Sequence, residues 1–406
     1  MTILMEKQTR SAKRRKTAAA IGLMVLIAVV VYMIAVAKDQ WLSLAITGIA
    51  LAGFFVVNRN SALKKRISDT WKGENRALLI TGILLAILVP FPLRTDPYLL
   101  HVFVMIGISI ILALGLNFQV GSTGIPNLGF AAFYGVGAYA SALLAINFKL
   151  DFWITIFLGA LVSAFFGFLV GLPSLKTRTY HLALVSIAFG LVVYIMLNNL
   201  DFTGGPNGVK DIPAPAVLGV SLFKTPVIFG VNYPMQLNFY FLVLFFIAIT
   251  LIVANALYHS KIGLYWNAVR EDEIAAKCSG INVSSVKILA FCVGAFFAGI
   301  AGALYAHYIG YISPENFNMN VSLLILGMVI MGGMDNIAGA CVGAFILTMA
   351  PEKFRSLADF RMVATGLILI LMLIFRPSGI IPQSIRRYAK ILSRKNTLPG
   401  GQTLRE

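Results

Sequence analysis

Charged residues are scarce in this chain. Of its 406 residues only 12% are Asp, Glu, Lys or Arg, while 59% are hydrophobic. Roughly a quarter of the residues of an ordinary soluble domain are charged. Polar stretches long enough to form a separate soluble domain are missing. The composition therefore predicts a polytopic membrane protein with one integral domain.

Cysteine, histidine and catalytic motifs are scarce too. Cys278, Cys292 and Cys341 show no CxxC spacing and have no histidine cluster beside them, so neither a zinc site nor a disulfide framework is indicated. The four histidines lie far apart near the ends of apolar runs, where interfacial positions are expected. The sequence contains no P-loop, HExxH or GxSxG motif. We therefore predict no enzyme activity, catalytic residue, metal site or cofactor in this chain.

Carboxylates are nearly missing from the apolar runs. Proton-coupled carriers and pumps place Asp, Glu or His at membrane depth as proton relays. Here Asp96, Asp151, Glu315 and Glu352 fall at the ends of runs or in loops. Asp335, in a glycine-rich interruption, is the one candidate exception. The chain thus lacks energy-coupling groups of its own, which leaves a passive pore or a transporter driven by a separate motor.

Apolar runs recur from end to end, with lengths near or above the roughly 18 residues of a membrane-spanning helix. The first run follows basic residues and precedes an Ala-Val-Ala sequence, as in a signal peptide, but exceeds the roughly 7–15 apolar residues of such a peptide. The runs predict an all-α fold with roughly 10–12 transmembrane or re-entrant helices. They lie at about 17–37, 41–57, 77–93, 98–118, 126–147, 152–174, 180–199, 236–257, 286–308, 320–334, 337–351 and 361–376.

Basic residues cluster beside the apolar runs and give a net charge of +17. Lys and Arg are enriched in cytosolic loops, so the clusters predict orientation and not nucleic-acid binding. Both termini are expected in the cytosol, and the loop at about 198–235 outside. We predict three parts. Residues 1–76 form a basic segment with two extra membrane helices and a cytosolic loop, residues 77–382 form the main membrane domain, and residues 383–406 form a basic cytosolic tail.

Two glycine-rich interruptions lie at membrane depth. The first, GSTGIPN at residues 121–127, follows Asn117, and the second is MGGMDN at residues 331–336. Irregular backbone at this depth is tolerated only where protein or a watery cavity satisfies the freed backbone groups. Such breaks mark translocation routes in transporters. Tight helix packing through small residues is the alternative, open for the first interruption and favoured for the second.

One charged helical stretch separates two apolar runs in the second half of the chain. It is LYWNAVREDEIAAKCSG, residues 264–280. Its charged residues are Arg270, Glu271, Asp272, Glu273 and Lys277. The pattern predicts a helix on the cytosolic side that ends at Gly280. A short helix held by two membrane helices can transmit a push from a cytosolic partner, and an ordinary interfacial helix is the alternative.

Residues 273–280, EIAAKCSG, resemble the EAA loop of bacterial ABC importer permeases, in which a short coupling helix docks on the ATPase subunit. The wider run VREDEIAAKCSGINVSSVKILAF is similar to LivM-type permeases of the high-affinity branched-chain amino-acid importers. No Ile-x-Leu-Pro ending follows Gly280, a departure that this subgroup shares. Supporting stretches between about residues 77 and 382 are GLN at 115–117, NLGF at 127–130, YHLALVSIAFG at 180–190, TGGPNG at 203–208, ISPENF at 312–317 and FRPSG at 375–379.

The resemblance implies a transport subunit with several partners. These are a homologous second permease of the LivH type, two cytosolic ATPase subunits of the LivG/LivF type that bind ATP and Mg, a soluble periplasmic or extracellular binding protein, and membrane lipid. The implied location is the bacterial plasma (inner) membrane. The implied cargo is a branched-chain or related amino acid. Urea and short-chain amides are alternatives in the same class, and an ion-coupled secondary carrier is the alternative from another class.

The resemblance also suggests roles for individual residues. The predicted ATPase-coupling residues are Arg270, Glu271, Asp272, Glu273, Ala275, Ala276 and Gly280. The predicted translocation-pathway residues are Asn117, Asn127, Phe130 and Tyr134. The predicted contacts with the binding protein are Thr203, Gly204, Gly205, Pro206, Asn207, Gly208, Pro314, Glu315 and Phe317.

Overall fold

The computed structural model describes Met33 and residues 75–175, 179–217, 220–225, 227–228, 231–353 and 361–381. The chain divides into two compact units, Met1–His101 and Val102–Glu406, and each is described by itself. Apart from Met33, the apolar runs at 17–37 and 41–57 and the tail at 383–406 lie outside the described residues. The part boundaries after residues 76 and 382 stay predictions.

The first unit contributes helix α1, Asn75–Leu88, a 3-10 turn at Pro92–Thr95 and the beginning of α2, Pro97–Asn117. α1 stops shortly before Pro90, because proline has no N–H to donate and disfavours helical backbone in the residue before it. The apolar run predicted at 77–93 therefore forms a helix of 14 residues that starts and ends earlier than the run.

The second unit consists mainly of helices, and the predicted all-α, polytopic fold is confirmed. α2 continues into this unit and ends in a π-helical turn at Phe118–Ser122. The helices that follow are α3 (Phe130–Asn147), α4 (Phe152–Gly171), α5 (Thr179–Asn199), α6 (Gln236–Tyr258), α7 (Lys261–Glu271), α8 (Glu273–Cys278), α9 (Val283–Ile309), α10 (Met319–Gly332), α11 (Ile337–Lys353) and α12 (Arg361–Phe375).

Seven helical segments in the described part of the chain are long and apolar enough to cross a membrane. They are Pro97–Ser122, Phe130–Asn147, Phe152–Gly171, Leu182–Asn199, Gln236–Tyr258, Val283–Ile309 and Pro314–Gly332. α1, α11 and α12 are shorter, with 14, 17 and 15 residues. The predicted runs at 17–37 and 41–57 lie outside this count.

α9 is the centre of the second unit and packs against α3 and α4. The backbones touch, since a Cβ at Gly137 of α3 would lie 2.3 Å from the Cα of Gly299 in α9. A Cβ at Gly302 would lie 2.2 Å from the carbonyl oxygen of Tyr134. Small residues permit this approach between membrane helices, where lipid removes much of the hydrophobic drive. The small-residue run at 135–140 therefore serves helix packing.

The α5–α6 loop is described at residues 200–217, 220–225, 227–228 and 231–235, and its Gly, Pro and Asn residues favour turns. Two 3-10 turns, Asp201–Thr203 and Gly205–Asn207, open it. Two antiparallel pairs of short strands follow. They are β1 (Ala216–Val217) with β2 (Val220–Ser221), and β3 (Val227–Ile228) with β4 (Val231–Asn232). The loop thus adds local hairpins to a helical protein.

His307 ties this loop to the core. It is only 1% exposed, with Nδ1 at 2.8 Å from the carbonyl oxygen of Pro213 and Nε2 at 3.0 Å from the Ser141 hydroxyl. Because a carbonyl only accepts, Nδ1 carries the proton and Nε2 accepts from Ser141. Protein groups therefore satisfy both ring nitrogens in the last turn of α9.

Candidate functional site

The charged stretch forms two helices with a bend between them, so the single helix predicted over residues 264–280 is wrong. α7 ends at Glu271, and Asp272 has extended backbone with φ −158° and ψ 114°. The Asp272 carboxylate accepts hydrogen bonds from the backbone N–H of Ile274 at 2.7 Å and of Ala275 at 3.0 Å. Aspartate is a favoured N-cap residue, and this cap starts α8 in a new direction. We call residues 261–278 the α7–α8 segment.

Gly280 ends α8, as predicted. Its φ is +78°, and its N–H donates to the carbonyl of Lys277 at 3.0 Å. The N–H of Ile281 donates to the carbonyl of Ala276 at 3.1 Å. This pair of bonds is a Schellman motif, which favours glycine because the left-handed conformation is costly for residues with a Cβ.

α7 is embedded in the fold along one side. Trp266 is fully buried, and its indole N–H donates to the carbonyl of Val286 in α9 at 3.0 Å. The indole ring also contacts Phe118 of the π-helical turn, with centroids 5.8 Å apart. Val269 is buried on the same helix. These contacts hold the α7–α8 segment against α2 and α9.

Arg270 points into the protein, towards both glycine-rich interruptions. Its Nη1 donates to the carbonyl of Gly121 at 2.8 Å and lies 3.5 Å from Oδ2 of Asp335. The Asp335 side chain is 0% exposed and that of Arg270 is 23% exposed. Arg270 therefore supplies the positive charge that a buried carboxylate needs.

Asp335 lies where α10 gives way to α11. Its φ is +60°, a left-handed conformation that is uncommon for residues other than glycine. Oδ1 accepts from the Ser122 hydroxyl at 2.8 Å, and the backbone N–H donates to Oδ1 of Asn117 at 2.9 Å. The Asn117 amide donates in turn to the Tyr258 hydroxyl at 2.8 Å. The two interruptions, distant in sequence, thus meet in one polar cluster.

The second interruption combines a break in the helix with tight packing, and its role in translocation stays a prediction. The backbone leaves the helix between Gly332 and Ile337. Gly332 also packs tightly, because a Cβ there would lie 2.0 Å from the carbonyl oxygen of Gly339. At the first interruption the π-helical turn ends α2, and a Cβ at Gly121 would lie 2.0 Å from Oδ1 of Asn117. Protein groups satisfy the irregular backbone at both places.

Glu273 fixes α8 to α9 through a second ion pair. Its Oε1 lies 2.6 Å from Nζ of Lys287, whose side chain is 2% exposed against 39% for Glu273. Lys287 is not among the residues predicted from the sequence. A single lysine inside the apolar stretch VSSVKILAF was the available signal, since a buried lysine in a membrane protein needs a partner.

The exposed surface of the α7–α8 segment differs from the predicted docking set. Ile274 is 77% exposed and is absent from the predicted set, which contains only small and charged residues. Ala276, by contrast, is buried at 4%. Of the predicted coupling residues, Glu271, Asp272, Ala275 and Gly280 are exposed, Glu273 is intermediate, and Arg270 and Ala276 face the interior.

The four predicted pathway residues are all buried inside the protein. Asn117, Asn127 and Phe130 are 0% exposed and Tyr134 is 5% exposed. Asn127 donates to Oε1 of Gln119 at 2.6 Å, and Tyr134 packs edge-on against Phe317 at a centroid distance of 4.9 Å. In this conformation they connect helices and do not line an open channel. Their role in translocation stays a prediction.

The two stretches predicted to meet the binding protein are brought together by the fold. Val209 and Ile312 form an antiparallel bridge, with N–H to O distances of 2.8 and 3.0 Å. Gly208, at φ +67°, is required beside it, because a Cβ there would lie 2.0 Å from the carbonyl oxygen of Ile312. The exposed members are Gly204, Pro206, Asn207 and Glu315, whereas Thr203, Gly205, Pro314 and Phe317 are buried and Gly208 is intermediate.

A cavity of about 300 Å³ adjoins this surface. Glu315 and Tyr194 lie in its wall, and the Tyr194 hydroxyl donates to the Glu315 carboxylate. Leu191, Phe317 and Met319 supply much of its apolar lining. In the described part of the chain, no group of three or more His, Cys, Asp or Glu side chains is placed to hold a metal ion.

The family model for the permease component of branched-chain amino acid transport systems matches residues 98–376, which include both interruptions and the α7–α8 segment. The chain belongs to this family of permeases. The permease is 37% identical over 314 residues to the high-affinity branched-chain amino acid transport system permease protein LivM of Salmonella typhimurium, covering 74% of each chain. It is 36% identical over 324 residues to LivM of Escherichia coli K12, covering 77% of this chain and 76% of the relative.

A second kind of relative matches more distantly. LivH of Escherichia coli K12, named as a permease protein of the same transport system, is 24% identical over 286 residues, which are 67% of this permease and 90% of LivH. No solved structure matches the chain.

Proposed function

We propose that this chain is a membrane-spanning permease subunit of an ATP-driven importer for branched-chain amino acids. It pairs with a homologous permease of the LivH type to enclose the translocation pathway. Two ATPase subunits of the LivG/LivF type bind ATP and Mg and hydrolyse ATP, while this chain transports and does no chemistry. A soluble binding protein delivers the cargo. The similarity to two LivM proteins over about three quarters of the chain carries this proposal.

The α7–α8 segment is the proposed docking element for an ATPase subunit. Ile274 offers an exposed apolar anchor, and exposed Ala275 beside it permits close approach. The charges of Glu271 and Lys277 surround this anchor and would orient the partner. Ile274 is 77% exposed, so burying its side chain against a partner would remove apolar surface from water and stabilise the complex.

Membrane orientation follows from the same proposal. α6 and α9 each cross the membrane and each has one end at the α7–α8 segment. Docking on cytosolic ATPases would put that segment in the cytosol of a bacterium and the α5–α6 loop outside. Both termini then lie in the cytosol if every predicted apolar run crosses the membrane. The exposed residues near Val209 and Ile312, together with Glu315, then face the binding protein.

The cavity beside Glu315 suits the proposed cargo. A branched-chain amino acid has an apolar side chain and an ammonium group, and the cavity offers apolar walls from Leu191 and Phe317 with one carboxylate. ATP binding and hydrolysis in the partners would shift the subunit between conformations open to either side, with energy entering at the docking element.

The test is reconstitution of the two permeases, the ATPases and the binding protein in liposomes. We expect uptake of leucine, isoleucine or valine that requires ATP. Uptake of urea or a short-chain amide in place of these would overturn the substrate. Transport without the ATPases, driven by an ion gradient, would overturn the importer class.

Docking has its own test in the same preparation. Replacing Ile274 with serine should lower co-purification of the ATPases by about tenfold, because a fully buried isoleucine contributes roughly 1.5–3 kcal/mol. Phe202→Ser is the matched control, since Phe202 is 65% exposed in the α5–α6 loop, away from the docking element. Equal co-purification for both variants would refute docking at Ile274.

A further inference from the structure

One side chain of the α7–α8 segment holds both helix interruptions. Arg270 donates from Nη1 to the carbonyl of Gly121, at the end of α2, and faces Asp335, between α10 and α11. Gly124 lies against the same side chain, since a Cβ there would be 3.2 Å from Cγ of Arg270. The arginine therefore connects the proposed docking element to two places where membrane helices break.

Breaking the contacts of Arg270 with Asp335 and with Gly121 is energetically unfavourable. If α7 moved away alone, the buried Asp335 carboxylate would lose the positive charge of Arg270 in a region of low dielectric constant. The Gly121 carbonyl, in a π-helical turn, would lose its donor as well. Moving α7 together with both interruptions preserves all of these contacts. The lowest-energy movement is therefore a concerted one.

The backbone at the interruptions is suited to such a movement. Asp335 holds a left-handed conformation with the help of Asn117 and Ser122, and Asn117 reaches α6 through Tyr258. A backbone in a sparsely populated conformation persists only when its surroundings fix it. Because Asn117 and Ser122 lie at the first interruption and Asp335 lies at the second, these contacts also keep the two interruptions together when they move.

We propose that the Arg270–Asp335 ion pair is the joint that carries movement of the α7–α8 segment to the interruptions of α2 and of α10–α11. The inference rests on the proposed function, because it assumes that the segment receives force from an ATPase. Arg270 and Asp335 act as positioning residues and touch neither ATP nor cargo. The exposed surface around Ile274 binds the ATPase. The buried side of α7 carries the movement to the two interruptions.

The test uses the complete complex in liposomes with Arg270→Gln. We expect the ATPases to co-purify and hydrolyse ATP, while uptake per ATP hydrolysed falls by about tenfold or more, because the buried ion pair is broken. Arg270→Lys, which keeps the charge, should recover part of the coupling. Lys149→Gln is the matched control, since Lys149 is exposed in the short connection between α3 and α4, outside the docking element, and it should keep wild-type coupling.

Two results separate failure of the joint from failure of the importer. Wild-type complex that transports no branched-chain amino acid with ATP would refute the proposed function and the joint with it. Wild-type complex that transports, alongside an assembled Arg270→Gln complex with unchanged uptake per ATP, would refute the joint alone.

A second measurement covers the case in which Arg270→Gln does not fold. In the otherwise wild-type complex, with Cys292 and Cys341 replaced by alanine, one spin label is attached to exposed Cys278 and another to Ser378→Cys, since Ser378 is exposed near the second interruption. When ATP binds, we expect the distribution of distances between the two labels to stay the same as without nucleotide. The reason is that the two labelled parts move together. A separate distance population in the ATP state would overturn the joint.

Discussion

The two ends of α6 and α9 are held together by different interactions. At one end, charged side chains fasten the α7–α8 segment, through Arg270 to Asp335 and through Glu273 to Lys287. At the other end, backbone hydrogen bonds join Val209 to Ile312, beside a glycine that leaves no room for a side chain. Ion pairs between side chains can stay formed while the helices that carry them shift, whereas a backbone bridge against a glycine has one geometry. The difference suits one end to movement and the other to a fixed shape.

The largest effect is expected from Gly208→Ala, at the backbone-held end. The new Cβ would lie 2.0 Å from the carbonyl oxygen of Ile312, at a φ of +67°. Strain and overpacking together should lower the free energy of unfolding by about 3 kcal/mol. Thermal unfolding of the purified permease in detergent measures this change. A midpoint equal to that of the wild type would show that the bridge has room to yield.

A smaller effect is expected from Glu273→Gln, at the charge-held end. The Lys287 ammonium, 2% exposed, would lose its carboxylate partner. We expect a loss of about 1–2 kcal/mol, below the value for a fully buried pair because Glu273 is 39% exposed and partly screened by solvent. The double variant Glu273→Gln, Lys287→Met removes the buried charge and should regain most of the stability. A double variant less stable than Glu273→Gln would contradict this account of the pair.

The smallest effect is expected from Gly280→Ala, which makes the comparison between the two ends direct. Gly280 has a φ of +78°, close to that of Gly208, but a Cβ there would meet nothing within 4 Å. Only the left-handed backbone of alanine is costly, at about 1 kcal/mol. Thermal unfolding of Gly280→Ala measures backbone strain alone, whereas that of Gly208→Ala measures strain together with steric clash. The difference between the two midpoints is therefore due to the clash. Equal losses for the two variants would mean that the Ile312 carbonyl contributes nothing.

The sequence predicted the spans well because their signal is local. The run at 98–118 became α2 and that at 236–257 became α6, since the length and hydropathy of a run determine whether it can cross a membrane. Gly280 was also predictable, because a glycine after a short charged helix is the usual terminator. Each of these inferences needs only neighbouring residues.

The site residues were harder to predict because their roles depend on distant contacts. Asp272 fits within a helical pattern and equally at its N-cap, and nothing nearby shows that the chain bends there. Arg270 looked like a surface charge until Asp335, far along the chain, was found beside it. The role of Lys287 was equally hard to predict, because its partner Glu273 lies on a different helix. Sequence patterns indicate which residues are unusual, and the fold decides which of them meet.

Trp266 gives this arrangement an optical signal. Its indole is fully buried between the π-helical turn of α2 and the start of α9, with its N–H bonded to the Val286 carbonyl. The fluorescence of a buried indole lies at shorter wavelength than that of an indole in water. A change in the hydrogen bond from the indole N–H to the Val286 carbonyl shifts this emission. Withdrawal of α7 from α9 would therefore appear as a red shift in the intrinsic fluorescence of the permease, without any attached dye.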